Sequence, residues 1–567
     1  MHCLNIPRRR VMRAALQLFG VAMVAWNIAQ ADSGPAAGCK QGSQDESFWQ
    51  RLSDSYKSHL FPDATPPADA APAAGASTSP AAADSSQPTG LAKEEAQGHR
   101  DDLPAPPESN PPWPYSVYPE GGTQVIGYEN AFHGPLMDAI YCGDNGQAWK
   151  DSRFTIYGWV EPGGNISTSS EPFNKITGTG GNYPMAYSYT SNNVQLDQVA
   201  LYLERTPDEI QKDHFDWGFR LTGVYGTDYK YTFSDGILSS QYTSQENLYG
   251  FDPVMYYLDF YFPKFFDGEN LRVGRYISIP DIEAQLAPNN ITYSHSLLYT
   301  YDPYTQNGIV STTLLNKNWK VQLEFSAGND AGFWVKAQRK PTFAACAMWT
   351  SDDGGDTIYP CMNGLNDQKF GWNNLQDATV TWYHKFNEKW HMDWEFWYMW
   401  ENQTPDSLNP QGQAILAQMY PAPQYNIGAP AGAQCDNTAQ VYCTSHEWAT
   451  VNYLNYQVDE HNILTWRTDF LADQTGQRTG FKGDYLELSL GYTHWIGDAL
   501  EIRPEIRYER QLTAPNRDIT GYAYDNPCAA AAGVSCEFGS TFDPTTITGN
   551  GGKPDQLILA VDAVFFF

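Results

Sequence analysis

Gln556-Leu-Ile-Leu-Ala-Val-Asp-Ala-Val-Phe-Phe-Phe567 ends the chain. Read at period two, Leu557, Leu559, Val561, Ala563, Phe565 and Phe567 form a wholly apolar face, while Asp562 lies on the other face among Ile558, Ala560, Val564 and Phe566. Such a strand suits a wall with lipid on one side and water or protein on the other, or the last strand of a soluble sandwich. The rest of the chain has to decide between them.

Fourteen amphipathic segments are legible, at 153–161, 194–205, 216–226, 254–262, 270–277, 307–316, 319–327, 376–386, 390–402, 448–458, 462–473, 482–495, 500–511 and 556–567. In one, Trp319, Val321, Leu323, Phe325 and Ala327 oppose Lys320, Gln322, Glu324 and Ser326. In another, Trp390, Met392, Trp394, Phe396, Tyr398 and Trp400 form an unbroken row opposite His391, Asp393 and Glu395, a row that soluble sheets rarely carry. Tight turns at Asn316–Asn318, Asn387–Lys389, Asp459–His461 and Ile496–Asp498 alternate with long connections at 162–193, 227–253, 278–306, 328–375, 403–447 and 512–555; 474–481 is shorter. Short turns alternating with long loops are the topology of an outer-membrane barrel. The reading is therefore all-β, a transmembrane antiparallel up-and-down barrel of about 14 strands (12 to 16), with 153–161 closing against 556–567.

Composition agrees. Mean hydropathy is −0.50, and beyond residue 31 no apolar run approaches the roughly 20 residues a membrane helix needs, which excludes multi-span helical architectures. Abundant Tyr, Trp and Gly (36, 18 and 47) fit interfacial girdles and tight turns. A formal net charge of −30 repels phosphate backbones, so nucleic acid is not an expected partner.

Ahead of the barrel, Arg8, Arg9, Arg10 and Arg13 precede an apolar stretch and Ala29-Gln-Ala31, the pattern of a signal peptide over 1–31. Residues 32–114 read as a disordered, Pro/Ala-rich periplasmic linker, with helical spacing of Phe48, Trp49, Leu52, Tyr56 and Leu60 marking a short helix at 46–60. Residues 115–150 are a candidate cap or plug, and 151–567 form the barrel.

Cysteines test the layout separately. Cys346 and Cys361, Cys435 and Cys443, and Cys528 and Cys536 fall pairwise in three long connections, where an external disulfide persists. Cys142 and Cys39 are left with no assigned state. Neither a metal-site spacing nor a cofactor motif is present.

On the segment 500–511, Glu501, Arg503, Glu505, Arg507 and Glu509 share one face; Arg467, Asp469 and Glu487 lie on neighbouring segments. A charge facing lipid at mid-depth costs about 2–4 kcal/mol per Arg or Lys, so this face looks into the lumen. The charges either pair across the wall or form a track that filters solutes. Acids outnumber the bases Arg220, Lys320, Lys385, Arg467, Arg503 and Arg507, which predicts a mild preference for cations. Residues 278–306, carrying Asp281, Glu283, His295 and several Tyr, are a candidate constriction loop.

Ile156-Tyr-Gly-Trp-Val-Glu-Pro-Gly-Gly-Asn-Ile-Ser-Thr-Ser169, Val273-Gly-Arg-Tyr-Ile-Ser-Ile-Pro-Asp-Ile-Glu283 and Tyr299-Thr-Tyr-Asp-Pro-Tyr304 carry a family resemblance. From about residue 121 to the end, the chain resembles the OmpL-like putative β-barrel porins of bacterial outer membranes. The resemblance implies an integral outer-membrane barrel surrounded by lipid, passing small hydrophilic solutes and lacking enzymatic activity. It also implies that the terminal Phe567 is the signal read by the outer-membrane insertion machinery. Homo-oligomers are compatible with it. The competing readings are a closed barrel moving hydrophobic molecules with 115–150 as hatch, a structural or adhesive barrel, and a secreted carbohydrate-active β-protein. Asp393 and Glu395, two apart on one strand, are a poor glycosidase signal.

Overall fold

Polarity in this chain is inverted relative to a soluble sheet. Along Trp319–Asn329, Leu323 is 58% exposed while its neighbour Glu324 is 3% exposed, and the same inversion repeats from strand to strand. Outward Leu, Phe and Trp with inward charge satisfy both faces only where lipid lies outside the wall.

The computed structural model describes residues 47–61, 134–168, 182, 187, 190–232, 234–243, 247–277, 279, 281–334, 340–371, 374–419, 432–437, 439–459, 461–479, 482–512 and 555–567. Sixteen strands close into one antiparallel barrel in which each strand pairs with its sequence neighbours. They are β1 (Phe154–Ser167), β2 (Val194–Arg205), β3 (Asp216–Gly226), β4 (Gly250–Phe262), β5 (Glu269–Ile277), β6 (Thr305–Leu314), β7 (Trp319–Asn329) and β8 (Thr342–Thr350). The circuit continues with β9 (Asp356–Leu365), β10 (Gln376–Lys385), β11 (Trp390–Pro405), β12 (Tyr442–Asp459), β13 (Asn462–Asp473), β14 (Gly483–Ile496), β15 (Leu500–Gln511) and β16 (Asp555–Phe566). β16 pairs with β1, with Trp159 opposite Phe566, so no sheet edge is left to lipid. An even strand count brings both ends of the barrel to one rim, which also carries the tight turns; the long connections leave from and return to the opposite rim. Trp217, Phe262, Trp319 and Trp390, exposed beside the turns, begin an aromatic girdle there.

The fourteen expected segments become sixteen strands because β8 and β9 occupy what reads as a long loop at 328–375. Thr342-Phe-Ala-Ala-Cys-Ala-Met-Trp-Thr350 is apolar on both faces, and Pro360 interrupts the β9 pattern, so neither shows the alternation that marks the other strands. The same hairpin relocates a disulfide. Cys346 and Cys361 are bonded directly across β8 and β9 on the inner face, not within an external loop. Cys435 bonds Cys443, the first lying in the β11–β12 connection and the second in β12 itself. Cys142 is disulfide-bonded as well. Cys528 and Cys536, the expected signal peptide and most of the expected linker lie outside the described residues.

Among the described residues, three helices precede β1: α1 (Phe48–Leu60), α2 (Pro135–Tyr141) and α3 (Gly146–Ser152). Ser47 caps α1, its hydroxyl accepting from Gln50 N. Instead of standing alone, α1 is tied to α2 and to the β14–β15 turn. Arg51 Nε donates to Ala139 O (3.1 Å), and Asp498 N donates to His59 O (3.0 Å). Gly497 takes φ +59°, and a Cβ there would stand 1.6 Å from His59 O, so only glycine admits this contact.

Candidate functional site

Strand register sets the lumen charges in rows. Asp469 faces Glu487, which faces Glu509; one step along, Arg467 and Arg507 flank Ser489; Arg503 sits opposite Asp562. Each arginine pairs with wall carboxylates: Arg467 with Glu487 (2.9 Å) and Glu505 (3.0 Å), Arg503 with Asp562 and with Glu161 (3.2 Å), Arg507 with Glu509. Glu501, on the same face, forms no salt bridge among the described residues. All eight residues of the ladder are buried.

Burial comes from the β5–β6 connection, 278–304, which turns inward and lies against the inner wall. Arg467 donates to Ser294 O (2.6 Å), Ser294 Oγ (2.7 Å) and Thr292 Oγ1 (2.9 Å). Arg503 donates to Ala287 O and Asn290 O, each at 2.7 Å, and Arg507 to Ser294 Oγ (3.0 Å) and His295 O. Carboxylates take the complementary donors: Glu505 accepts from Ser294 N (2.9 Å) and Oγ (2.7 Å), Asp469 from Leu297 N, and Glu395 from Ile282 N (2.9 Å). A loop folded inside a wall must satisfy its own backbone groups, and the ladder supplies partners of both signs. Glycine makes room for it: a Cβ on Gly491 would meet Thr292 Cγ2 at 2.8 Å, and one on Gly163 the Tyr293 hydroxyl at 2.4 Å.

The three residues singled out on this loop are brought inside, with different tasks. Glu283 binds its own loop, accepting from Ser296 N (2.9 Å) and the Ser296 hydroxyl. His295 Nε2 lies 2.6 Å from Ala284 O and the ring stacks on Tyr187 at 3.6 Å. Burial, reinforced by Arg467, Arg503 and Arg507, holds His295 well below the ordinary imidazole range, so the ring is neutral at pH 7. Asp281 stands within a carboxylate group with Asp302 and Glu395.

Several anchors escape sequence reasoning. Asp197 accepts from Tyr293 OH (2.8 Å), Gln198 Nε2 donates to Gln285 O (2.7 Å), and Arg478 Nε donates to Tyr301 O (2.8 Å). Asp197 and Gln198 are adjacent yet both buried, beside a register shift at Glu161/Pro162 that breaks the parity rule. Arg272 and Arg275, paired with Asp259 (2.9 Å) and Asp252 (3.0 Å), are likewise inward bases missed beside Gly274 at φ +147°. Lys385 is placed at the turn rim, paired with Glu388, rather than in the lumen.

Compared with known families, residues 153–567 match putative beta-barrel porin-2, OmpL-like. The chain belongs to that family. The match starts at the residue before β1 and runs through β16, so this OmpL-like porin is an outer-membrane β-barrel, and α1 to α3 lie ahead of the family region. No curated protein matches it. Among solved structures, it is similar to the anion-selective porin from Comamonas acidovorans (9% identity, 73% of this chain, 99% of that one, TM-score 0.42). Similar too are the outer membrane channel DcaP of Acinetobacter baumannii (9%, 73%, 97%, 0.41) and OmpT of Vibrio cholerae in its trimer form (8%, 73%, 99%, 0.37).

Proposed function

We propose that this porin lets small hydrophilic solutes and ions diffuse passively through a lumen narrowed by the 278–304 loop, with a mild preference for cations. The turn rim and α1 to α3 face the periplasm, and the long connections face outward. The docked loop is the observation that supports the reading: a segment held against the inner wall by Arg467, Arg503 and Arg507, and by a buried cluster of Leu297, Leu298 and Tyr301 with wall residues such as Trp397 and Leu471, narrows the bore. Cation preference follows from surplus acid. Arg220, Arg272, Arg275, Arg467, Arg503 and Arg507 each have a carboxylate partner, whereas Glu324, Glu395, Glu401, Glu447 and Glu501 form no salt bridge among the described residues.

In planar bilayers across a potassium chloride gradient, the refolded protein is expected to give small single-channel steps and a reversal potential of the cation-selective sign. An anion-selective sign overturns the preference. One observation favours a second reading, a closed barrel: inward charges on strands other than those of the ladder, such as Asp259 on β4 and Glu324 on β7, are also buried. Sugars separate the two, since a narrow pore swells liposomes slowly and a closed barrel does not swell them at all.

A further inference from the structure

Asp281 and Asp302 stand at the two ends of the inward loop, and Glu395 projects from β11 to meet them. One oxygen of each lies within 4.8 Å of the others. All three residues are buried, Asp281 and Glu395 completely and Asp302 at 2% exposure. Neither Asp302 nor Glu395 has a salt bridge among the described residues, and the charged groups that act most strongly on Asp302 are Asp281, Asp377 and Glu395, all acids.

Unspent oxygens accompany the cluster. Glu395 Oε2 accepts from Ile282 N, but Oε1 has no hydrogen-bond partner, and neither has Asp302 Oδ2. A separate group on the wall repeats the pattern. Thr381, directly across from Glu395 on β10 and on the same inner face, is completely buried with a partnerless hydroxyl. Buried polar oxygens ordinarily find donors. Two carboxylate oxygens left without a donor in a group of three acids, with the Thr381 hydroxyl across from Glu395 also partnerless, form the environment a hard cation completes.

We propose that Asp281, Asp302 and Glu395, with Thr381 beside them, bind a divalent cation of the calcium type and thereby fasten both ends of the inward loop to β11. An all-oxygen set excludes the nitrogen and sulfur ligands zinc prefers. Calcium takes oxygens at about 2.3–2.6 Å, so no two of its ligands stand more than about 4.6–5.2 Å apart, a limit that the 4.8 Å bound on this group meets. The sequence does not show the site because its members come from positions 281, 302 and 395.

Binding is read on the full barrel refolded in detergent and stripped with chelator, so it does not depend on the permeation reading. Calcium titrated into this protein at pH 7 in a calorimeter is expected to fill one saturable site. D302N and E395Q, each checked for heat-modifiable migration, are expected to weaken binding tenfold or more, whereas D352N in the exposed β8–β9 turn leaves it unchanged. Absence of saturable binding to the wild type, or equal binding by D302N and D352N, overturns the site. The wild type alone also decides: calcium must slow hydrogen exchange at both ends of the loop, around Asp281 and Asp302, and unchanged exchange counts against the proposal.

Discussion

Arg467 shows how one side chain holds the interior together. Its guanidinium pairs with Glu487 and Glu505 and reaches Ser294 and Thr292 on the inward loop. Removing one partner of a buried charge group leaves the others uncompensated, at a cost on the order of 3–5 kcal/mol. Arg467→Ala is therefore expected to lower the urea stability of the refolded barrel by about that amount, followed by tryptophan fluorescence. The triple variant R467A/E487Q/E505Q, which deletes the stranded charges, should recover a large part of the loss. If it is no more stable than R467A, the deficit is one of packing and not of unpaired charge. At this scale the sequence was half legible. Parity along β13 and β15 places Arg467, Arg503 and Arg507 inside, because charge facing lipid is costly. It says nothing of what they hold, because Ser294 lies 173 residues from Arg467 and hydrogen bonds to its carbonyl leave no mark on composition.

Among the elements, α1 is held by a titratable clasp. His59 Nε2 lies 2.9 Å from Asp138 and Nδ1 2.6 Å from Asp498, joining α1 to α2 and to the β14–β15 turn. Burial alone lowers the imidazole pKa, but hydrogen bonds and charge from Asp138 and Asp498 outweigh it and raise it from 6.5 to about 9. A pKa raised on docking means that the clasp contributes fully below 6.5 and is lost as pH rises through about 9. Hydrogen-exchange protection factors in Phe48–Leu60, taken relative to the intrinsic rate at each pH, should accordingly be high at pH 6 and fall between pH 7 and 10, while those of β-strand amides stay high. H59Q should remove that pH dependence, and G497A should expose α1 at every pH by pushing a methyl into His59 O. Protection that falls with pH equally in H59Q sinks the clasp. Helical spacing made α1 readable, yet its docking was not, since the contacts come from a turn more than four hundred residues away. The opposite failure occurs in β8 and β9. They pair with each other across one register shift at Phe343/Ala345, but Ala345, Cys346, Ala347 and Pro360 erase the polar alternation on which strand recognition rests.

Closure is a property of the whole molecule, and Phe567 extends it to the end of the seam. Phe567 N donates to Gly158 O (2.9 Å) and Phe567 O accepts from Gly158 N (3.1 Å), extending the β1–β16 seam to its end. Phe566 beside it turns inward and stacks on Trp495 with centroids 5.5 Å apart, whereas the Phe567 ring lies over Gly158, where a Cβ would meet it at 2.7 Å. Two backbone hydrogen bonds at a seam contribute modestly, about 1 kcal/mol each, so losing Phe567 should do little to a barrel refolded in detergent. In cells the strand must also be recognised before it can pair. Deletion of Phe567 is therefore expected to cut the heat-modifiable, folded fraction in the outer membrane several-fold while leaving the yield of detergent refolding nearly unchanged. Deletion of one residue from the exposed Ser351–Gly355 turn should leave both near wild type. If an aromatic end is what the insertion machinery reads, Phe567→Tyr should assemble in cells and Phe567→Ala should not. Equal losses in cells and in detergent would instead assign Phe567 to the seam alone, and normal assembly without it would remove its role in insertion.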